Sequence, residues 1–283
     1  MDFRNFVFDD VARAPAFVLL YLVLFLLSKW LKGMLRPYDI DHELASKDNQ
    51  AIAIATSGYY LATAIIYCAA LVGPSNGLTQ DLLSVGGYAL LGLVMLNLSG
   101  WIVDAAILRK FSDTEQLVHE KNTGVGAVHF GVYFATGLIA AGAISGEGGG
   151  VVSAVVFFVL GQVSLFVFAF VYEKLSPYDI HDELLRKNSA AGVAFCGHVI
   201  ALAIIVMNAS AGNFSDWKSD LLQFATANLI AFIFLPVIRV AIDRSIIPGQ
   251  SLAREIRDDG NIGAGILEAS SAIAFATVLA FLL

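Results

Sequence analysis

Apolar residues run along this chain in long blocks, and short charged segments separate them. Blocks near or above the roughly 20 residues that cross a bilayer core of about 30 Å predict transmembrane helices. Eight are readable: Pro15–Leu31, Gln50–Val72, Leu82–Leu108, Thr123–Ile144, Val151–Tyr172, Ser189–Met207, Leu221–Ile242 and Ile262–Leu283. The connections are short, and no separate soluble domain fits between them.

Polar positions repeat as well. RPYDIDHELASKDNQAIAIATSG, from Arg36, returns as SPYDIHDELLRKNSAAGVAFCG, from Ser176, with one residue fewer between glutamate and asparagine. Beyond that deletion the halves keep an offset of 139, so Asn49 matches Asn188, Asp104 matches Asp243 and Asn122 matches Asn261. Each half repeats within itself. The even-numbered spans read NQAIAIATSG, NTGVGAVHFG, NSAAGVAFCG and NIGAGILEAS from Asn49, Asn122, Asn188 and Asn261. The shared pattern is Asn, Ala or Gly at plus two and plus four, and Gly or Ser at plus nine, after an amphipathic charged stretch. The fold class that follows is all-α and polytopic, with eight transmembrane helices in two pseudo-symmetric four-helix halves, residues 1–145 and 146–283, each made of two hairpins. Units with an even number of spans enter the membrane with one polarity, so the repeat axes run along the membrane normal.

Each asparagine is placed to cap its helix. Gly58, Gly131, Gly197 and the other small residues allow close backbone approach, which drives helix association in lipid. SDTE, from Ser112, has capping-box spacing and predicts a short interfacial helix before the fourth span.

Composition agrees with a membrane protein: 58% of residues are hydrophobic, 14% are charged and the mean hydropathy is +0.74, against about 25% charged in soluble domains. Lysine and arginine concentrate in alternate connections: Lys29, Lys32, Arg36 and Lys47; Arg109, Lys110 and Lys121; Lys174, Arg186 and Lys187; Arg244, Arg254 and Arg257. The other connections contain only Lys218. By the positive-inside rule these four connections are cytoplasmic and both termini periplasmic. MDFRNFVFDDVARA lacks the positive character of a signal n-region, so no cleavage is expected. Cys68 and Cys196 lie within spans and read as small buried hydrophobes without a disulfide. The net charge of -7 is scattered, and no basic, aromatic-laced surface suggests nucleic acid.

The ELxxKxN motif followed by small residues, twice per four-helix unit, resembles the YjfL-type bacterial inner-membrane family, domain of unknown function 350. The resemblance spans nearly the whole chain as two copies. It implies a polytopic inner-membrane protein and no particular activity. Gly260, in place of lysine before Asn261, and Ser270, in place of glycine, depart from the pattern.

Ionisable residues inside spans are costly and mark function by default. At plus seven from the asparagine stand Thr56, His129, Phe195 and Glu268, and at plus ten Tyr59, Val132, His198 and Ser271. Those positions rise about 10 and 15 Å into the membrane and share a helical face. Histidine titrates near neutrality, so Glu268, His129, His198 and Tyr59 form a candidate proton relay; each also has a plain reading as a hydrogen-bonded packing residue. Asp104, Asp243 and Arg239 mark a cytoplasmic mouth, or Asp243 pairs with Arg239 four residues away. Asn97 and Pro236 occupy equivalent positions, and Pro236 would free the Phe232 carbonyl.

Two histidines and an acid on three spans lack the local spacing of a zinc site, and nothing pairs Ser57 or Ser99 with a histidine for proteolysis. No catalytic residue, metal or cofactor is expected. The expected partners are the lipid bilayer, protons or small cations, and a second copy of the chain. The function expected is proton or cation translocation; the alternative is a non-transporting scaffold or envelope-stress sensor that binds cytoplasmic partners.

Overall fold

The computed structural model describes residues 3–106, 112–247 and 249–283, with side chains at 13–100, 112–247 and 249–283. Among these residues the structure is helical, without strands. Eight long helices match the eight apolar blocks: α1 (Phe3–Met34), α3 (Gln50–Ala70), α4 (Leu78–Ala106), α5 (Thr123–Ile144), α6 (Gly150–Leu175), α8 (Ser189–Ser210), α9 (Trp217–Ser245) and α11 (Ile262–Leu282). Each is long and apolar enough to cross a membrane. Short helices α2 (Ile40–Ala45), α7 (Ile180–Leu185) and α10 (Leu252–Arg257) precede α3, α8 and α11. Before α5 the corresponding segment, with capping-box spacing, winds as a π-helical turn, Glu115–His119, with Ser112 Oγ accepting from the Glu115 amide.

The four even spans stand in a row. α3 packs on α5, α5 on α8 and α8 on α11, while α1, α4, α6 and α9 flank the row. α5 and α8 are almost wholly buried, and α1 is the most outward-facing span. The row forms because the facing positions have no room for a side chain. A Cβ on Gly126 would stand 2.6 Å from the Ala51 carbonyl oxygen, and one on Gly265 would stand 2.5 Å from that of Ala190. Gly192 meets the Gly124 carbonyl in the same way. Three seams thus repeat one geometry, with plus four of one module against plus two of the module before it. A second layer of contacts sets plus nine against plus eight: Gly58 on Phe130, Gly131 on Cys196 and Gly197 on Ala269.

Every even span starts on its asparagine. The side-chain oxygens of Asn49, Asn122, Asn188 and Asn261 accept from the amides of Ile52, Val125, Ala191 and Ala264. The residue before each cap adopts a left-handed conformation, with φ of 47° at Asp48, 47° at Lys121, 61° at Lys187 and 59° at Gly260. Gly260 thereby has a physical reason: glycine meets no steric cost at that angle. Two sequence expectations need correction. Lys32 lies on α1, buried, instead of in a connecting loop. Cys68 is exposed on α3 instead of buried, although both cysteines are free.

Candidate functional site: two buried polar centres

The cap asparagines do more than start helices. Their amides donate backward to the carboxylate or amide of the preceding short segment: Asn49 to Glu43, Asn122 to Gln116, Asn188 to Glu183 and Asn261 to Glu255, at 2.8–3.0 Å. The first three also donate forward to the backbone of the next module, Asn49 to the Leu117 carbonyl at 2.9 Å, Asn122 to Leu184 at 2.6 Å and Asn188 to Ile256 at 2.7 Å. One side chain therefore caps a helix and clamps two modules. This fixes the depth of the residues seven and ten places further along.

In the second half those residues form a tight centre. Glu268 is buried on α11; its Oε1 accepts from Arg239 Nε at 2.9 Å and from Tyr172 OH at 3.4 Å. His198 Nδ1 stands 3.7 Å from the same oxygen and 3.0 Å from the Ala194 carbonyl. A neutral ring that donates from Nδ1 to Ala194 keeps Nε2 as an acceptor, and among the described residues Nε2 has no hydrogen-bond partner. The Arg239 guanidinium lies 4.2 Å from the Tyr172 ring centre and donates to Ser176 Oγ at 3.2 Å. A cavity of about 360 Å³ borders the centre, lined by Tyr172, His198 and Arg239 with Phe168, Leu235 and Pro236. In the connection after α6 the ring centre of Tyr178 lies 5.9 Å from the Arg239 guanidinium, and burial raises the Tyr178 hydroxyl to about 12.

The first half has a centre at equivalent positions, with different chemistry. Tyr59 OH donates to the Ser28 carbonyl at 3.2 Å and accepts from Asn97 Nδ2 at 3.0 Å. Tyr133 stands edge-on to Tyr59, 5.6 Å away, and 5.9 Å from the His129 ring. Lys32 Nζ sits 3.6 Å over Tyr133 and 4.6 Å over Tyr59, and Arg36 donates to Tyr133 OH. His129 Nε2 is 3.4 Å from Asp113 Oδ2. A cavity of about 370 Å³ opens between Lys32, Arg36, Tyr59, Asn97, Asp113 and Tyr133.

Alignment of the halves exposes an exchange. Arg36 corresponds to Ser176 and Gly100 to Arg239. Arg36 reaches across from the end of α1 to within 3.8 Å of where a Gly100 Cβ would stand, whereas Arg239 reaches back from α9 to Ser176. Each half thus places a guanidinium in the same gap, delivered from opposite sides.

A family model described as Domain of Unknown Function (DUF350) matches residues 6–144 and again 148–283. The chain belongs to the DUF350 family. It is similar to the UPF0719 transmembrane protein of Aquifex aeolicus (strain VF5), at 23% identity over 272 residues, which cover 92% of this chain and 96% of that protein. No solved structure matches. This DUF350 chain is a multi-pass membrane protein built as a tandem duplication.

The four relay candidates fall as two pairs, His198 beside Glu268 and Tyr59 beside the Tyr133 ring that also faces His129. The mouth group does not assemble as expected. Arg239 turns to Glu268, while Asp243 accepts from Ser251 Oγ at 2.9 Å and the Ala253 amide at 2.8 Å and so holds the start of α10. The Asp104 side chain lies outside the described residues. Sequence reading missed Lys32, Arg36, Asp113, Tyr133 and Tyr172 in this DUF350 chain. One signal was available: Lys32 corresponds to Tyr172, and both stand where the apolar run of their span ends. One group among the described residues has metal-compatible spacing, Glu173, Asp179 and His181, with donor atoms within 4.8 Å. The Asp179 oxygen there already accepts two amides as the cap of α7.

Proposed function

We propose that this protein moves protons, or another small cation, across a bacterial-type inner membrane, with both termini periplasmic and the asparagine-capped ends cytoplasmic. The arrangement of lysines and arginines supports that orientation. The observation that carries the reading is the Glu268 carboxylate, buried at membrane depth, shared by Arg239, Tyr172 and His198 beside a cavity that His198 itself lines. Intramembrane acids of this kind mark proton paths.

The step is simple. His198 accepts a proton at Nε2 from the cavity and yields the Nδ1 proton to Glu268. The neutralised carboxyl releases Arg239; loss of the proton on the far side restores that pair, and a turn of the His198 ring brings its remaining N–H back to the Ala194 carbonyl. His129 and Asp113 offer a second exchanging pair in the first half. No covalent chemistry or cofactor is required, and the protein is read as a transporter, not an enzyme.

Protein in sealed vesicles with an imposed pH gradient and an internal pH dye tests this. Wild-type protein should dissipate the gradient, and Glu268→Gln combined with His129→Ala should slow it at least tenfold. Because Glu268→Gln alone leaves Arg239 buried without its counter-ion, Glu268→Gln with Arg239→Gln serves as the folded comparison. Absence of wild-type flux, or flux unchanged in the variants, would instead favour a scaffold whose buried pairs serve stability and whose charged connections bind cytoplasmic partners.

A further inference from the structure

The row of modules has two unlike ends, and each end presents half of the seam that joins modules inside the chain. At the three internal seams, positions plus two, plus nine and plus thirteen of the earlier module are buried: Ala51, Gly58 and Ala62; Gly124, Gly131 and Ala135; Ala190, Gly197 and Ala201. The fourth module keeps small residues there, Gly263, Ser270 and Ala274, and all three are exposed. Conversely, Gly126, Gly192 and Gly265 at plus four are buried against the preceding module, while their counterpart on α3, Ala53, is exposed, as is Ser57 at plus eight.

Two further features break off at the same ends. Asn49, Asn122 and Asn188 each donate to the backbone carbonyl of the following module; among the described residues Asn261 is exposed and donates only back to Glu255, and no cap asparagine donates to the corresponding first carbonyl, Leu44. Among the flanking helices, α6 packs on both α5 and α8, whereas its counterpart α1 packs on α3 and, among the described residues, has no helix in the place of α5. The exposed face of α11 sets Gly263, Ser270 and Ala274 among Ile262, Ile266, Leu267 and Phe275, and Leu267 at plus six stands where the internal seams bury Ala55, Val128 and Ala194; α6 and α9 expose chiefly valine, leucine and phenylalanine.

We propose that a second copy of this chain continues the row, its α3 and α1 docking on α11 of the first, so that Ala53 of one copy meets Gly263 of the next and Ser57 meets Ser270. The contact is heterologous, with unlike faces joined, and repetition yields a ring or an open array. All even spans share one polarity, so copies inserted in the same direction satisfy it. Ala53 and Ser270 each bring a Cβ to a place where the internal seams have glycine. The seam between copies is therefore wider than those within a chain, and it separates more readily in detergent.

A cross-linking experiment in phosphatidylethanolamine and phosphatidylglycerol vesicles decides the matter. On a Cys68→Ala, Cys196→Ala background, Ser57→Cys and Ser270→Cys are made singly and together and oxidised with copper phenanthroline. A seam slightly wider than the internal ones brings the paired Cα atoms into disulfide range, 4.4–6.8 Å. The doubly substituted protein should form dimers and higher species, each single variant should stay monomeric, and a mixture of the two singles should stop at the dimer. The proposal is overturned by Ser57→Cys linking to itself as readily, by a double variant that gives no intermolecular product, or by one that closes within a single chain. Gly263→Trp should abolish the cross-link while leaving the melting temperature in detergent unchanged; persistence of the cross-link in that variant also counts against this seam.

Discussion

Truncating Asn122 strands several backbone groups at once, because its oxygen accepts from two amides of α5 and its nitrogen donates to Leu184 of the next module. Losing a cap costs about 1 kcal/mol, and leaving buried partners unsatisfied adds about 1–3. Asn122→Ala should therefore lower unfolding stability by roughly 2–4 kcal/mol, read by denaturant titration in micelles. Asn261→Ala, at an exposed cap without a forward bond among the described residues, should lose little beyond the cap contribution, since its bond to Glu255 is exposed as well. The same motif makes a pH prediction. Burial pushes the Glu43 carboxyl up, but the hydrogen bonds from Lys47 at 2.6 Å and Asn49 at 3.0 Å outweigh it and hold the group below the usual carboxylate range. A depressed folded value means the stabilisation is present above the ordinary value of about 4.3 and disappears as pH falls through the folded one. The stability difference between wild type and Glu43→Gln should accordingly shrink on acidification below about pH 4. Gln116 shows that the neutral amide keeps the bond to asparagine.

Helix seams are where local and global demands meet. Glycines weaken an isolated helix by about 1 kcal/mol each, yet α5 and α8 carry them where backbones touch. Gly192→Val would drive a branched side chain into the Gly124 backbone, and folded yield should collapse in size-exclusion profiles. Gly87 on α4 has nothing within 4 Å of a Cβ, and Gly87→Val should leave the profile intact. The spans, their caps and these seams were legible because each rests on local rules: apolar length, a capping side chain, small residues at fixed spacing. The π-helical turn at Glu115–His119 was not, since its register depends on where the Asn49 amide finds the Leu117 carbonyl. Lys32 misled for a related reason. At the end of an apolar block a lysine reads as interfacial, and only the rings of Tyr59 and Tyr133, brought from α3 and α5, show that it is enclosed.

Across the whole molecule the duplication acts as an internal control, because two copies of one framework have diverged at their polar centres while keeping the same gap for a guanidinium. Offsets along the chain exposed His129 opposite Glu268 and Tyr59 opposite His198, but they could not reveal that Arg36 and Arg239 fill one gap from opposite helices. That needs the third dimension. The exchange can be transplanted. Arg36→Ser removes the guanidinium from the first half and should cost stability, because the part-buried Arg36–Tyr133 hydrogen bond is lost. Adding Gly100→Arg restores a guanidinium from α4, as α9 does with Arg239. A Cβ at Gly100 meets only side-chain atoms at 3.6–3.8 Å, ordinary contact distances, so the new side chain can start without forcing the backbone. The double variant should recover at least half of the stability lost in Arg36→Ser, measured as the coupling energy of a double-mutant cycle. Simple additivity of the two changes would mean that the gap accepts a guanidinium from one side only, and that the halves are no longer interchangeable at their centres.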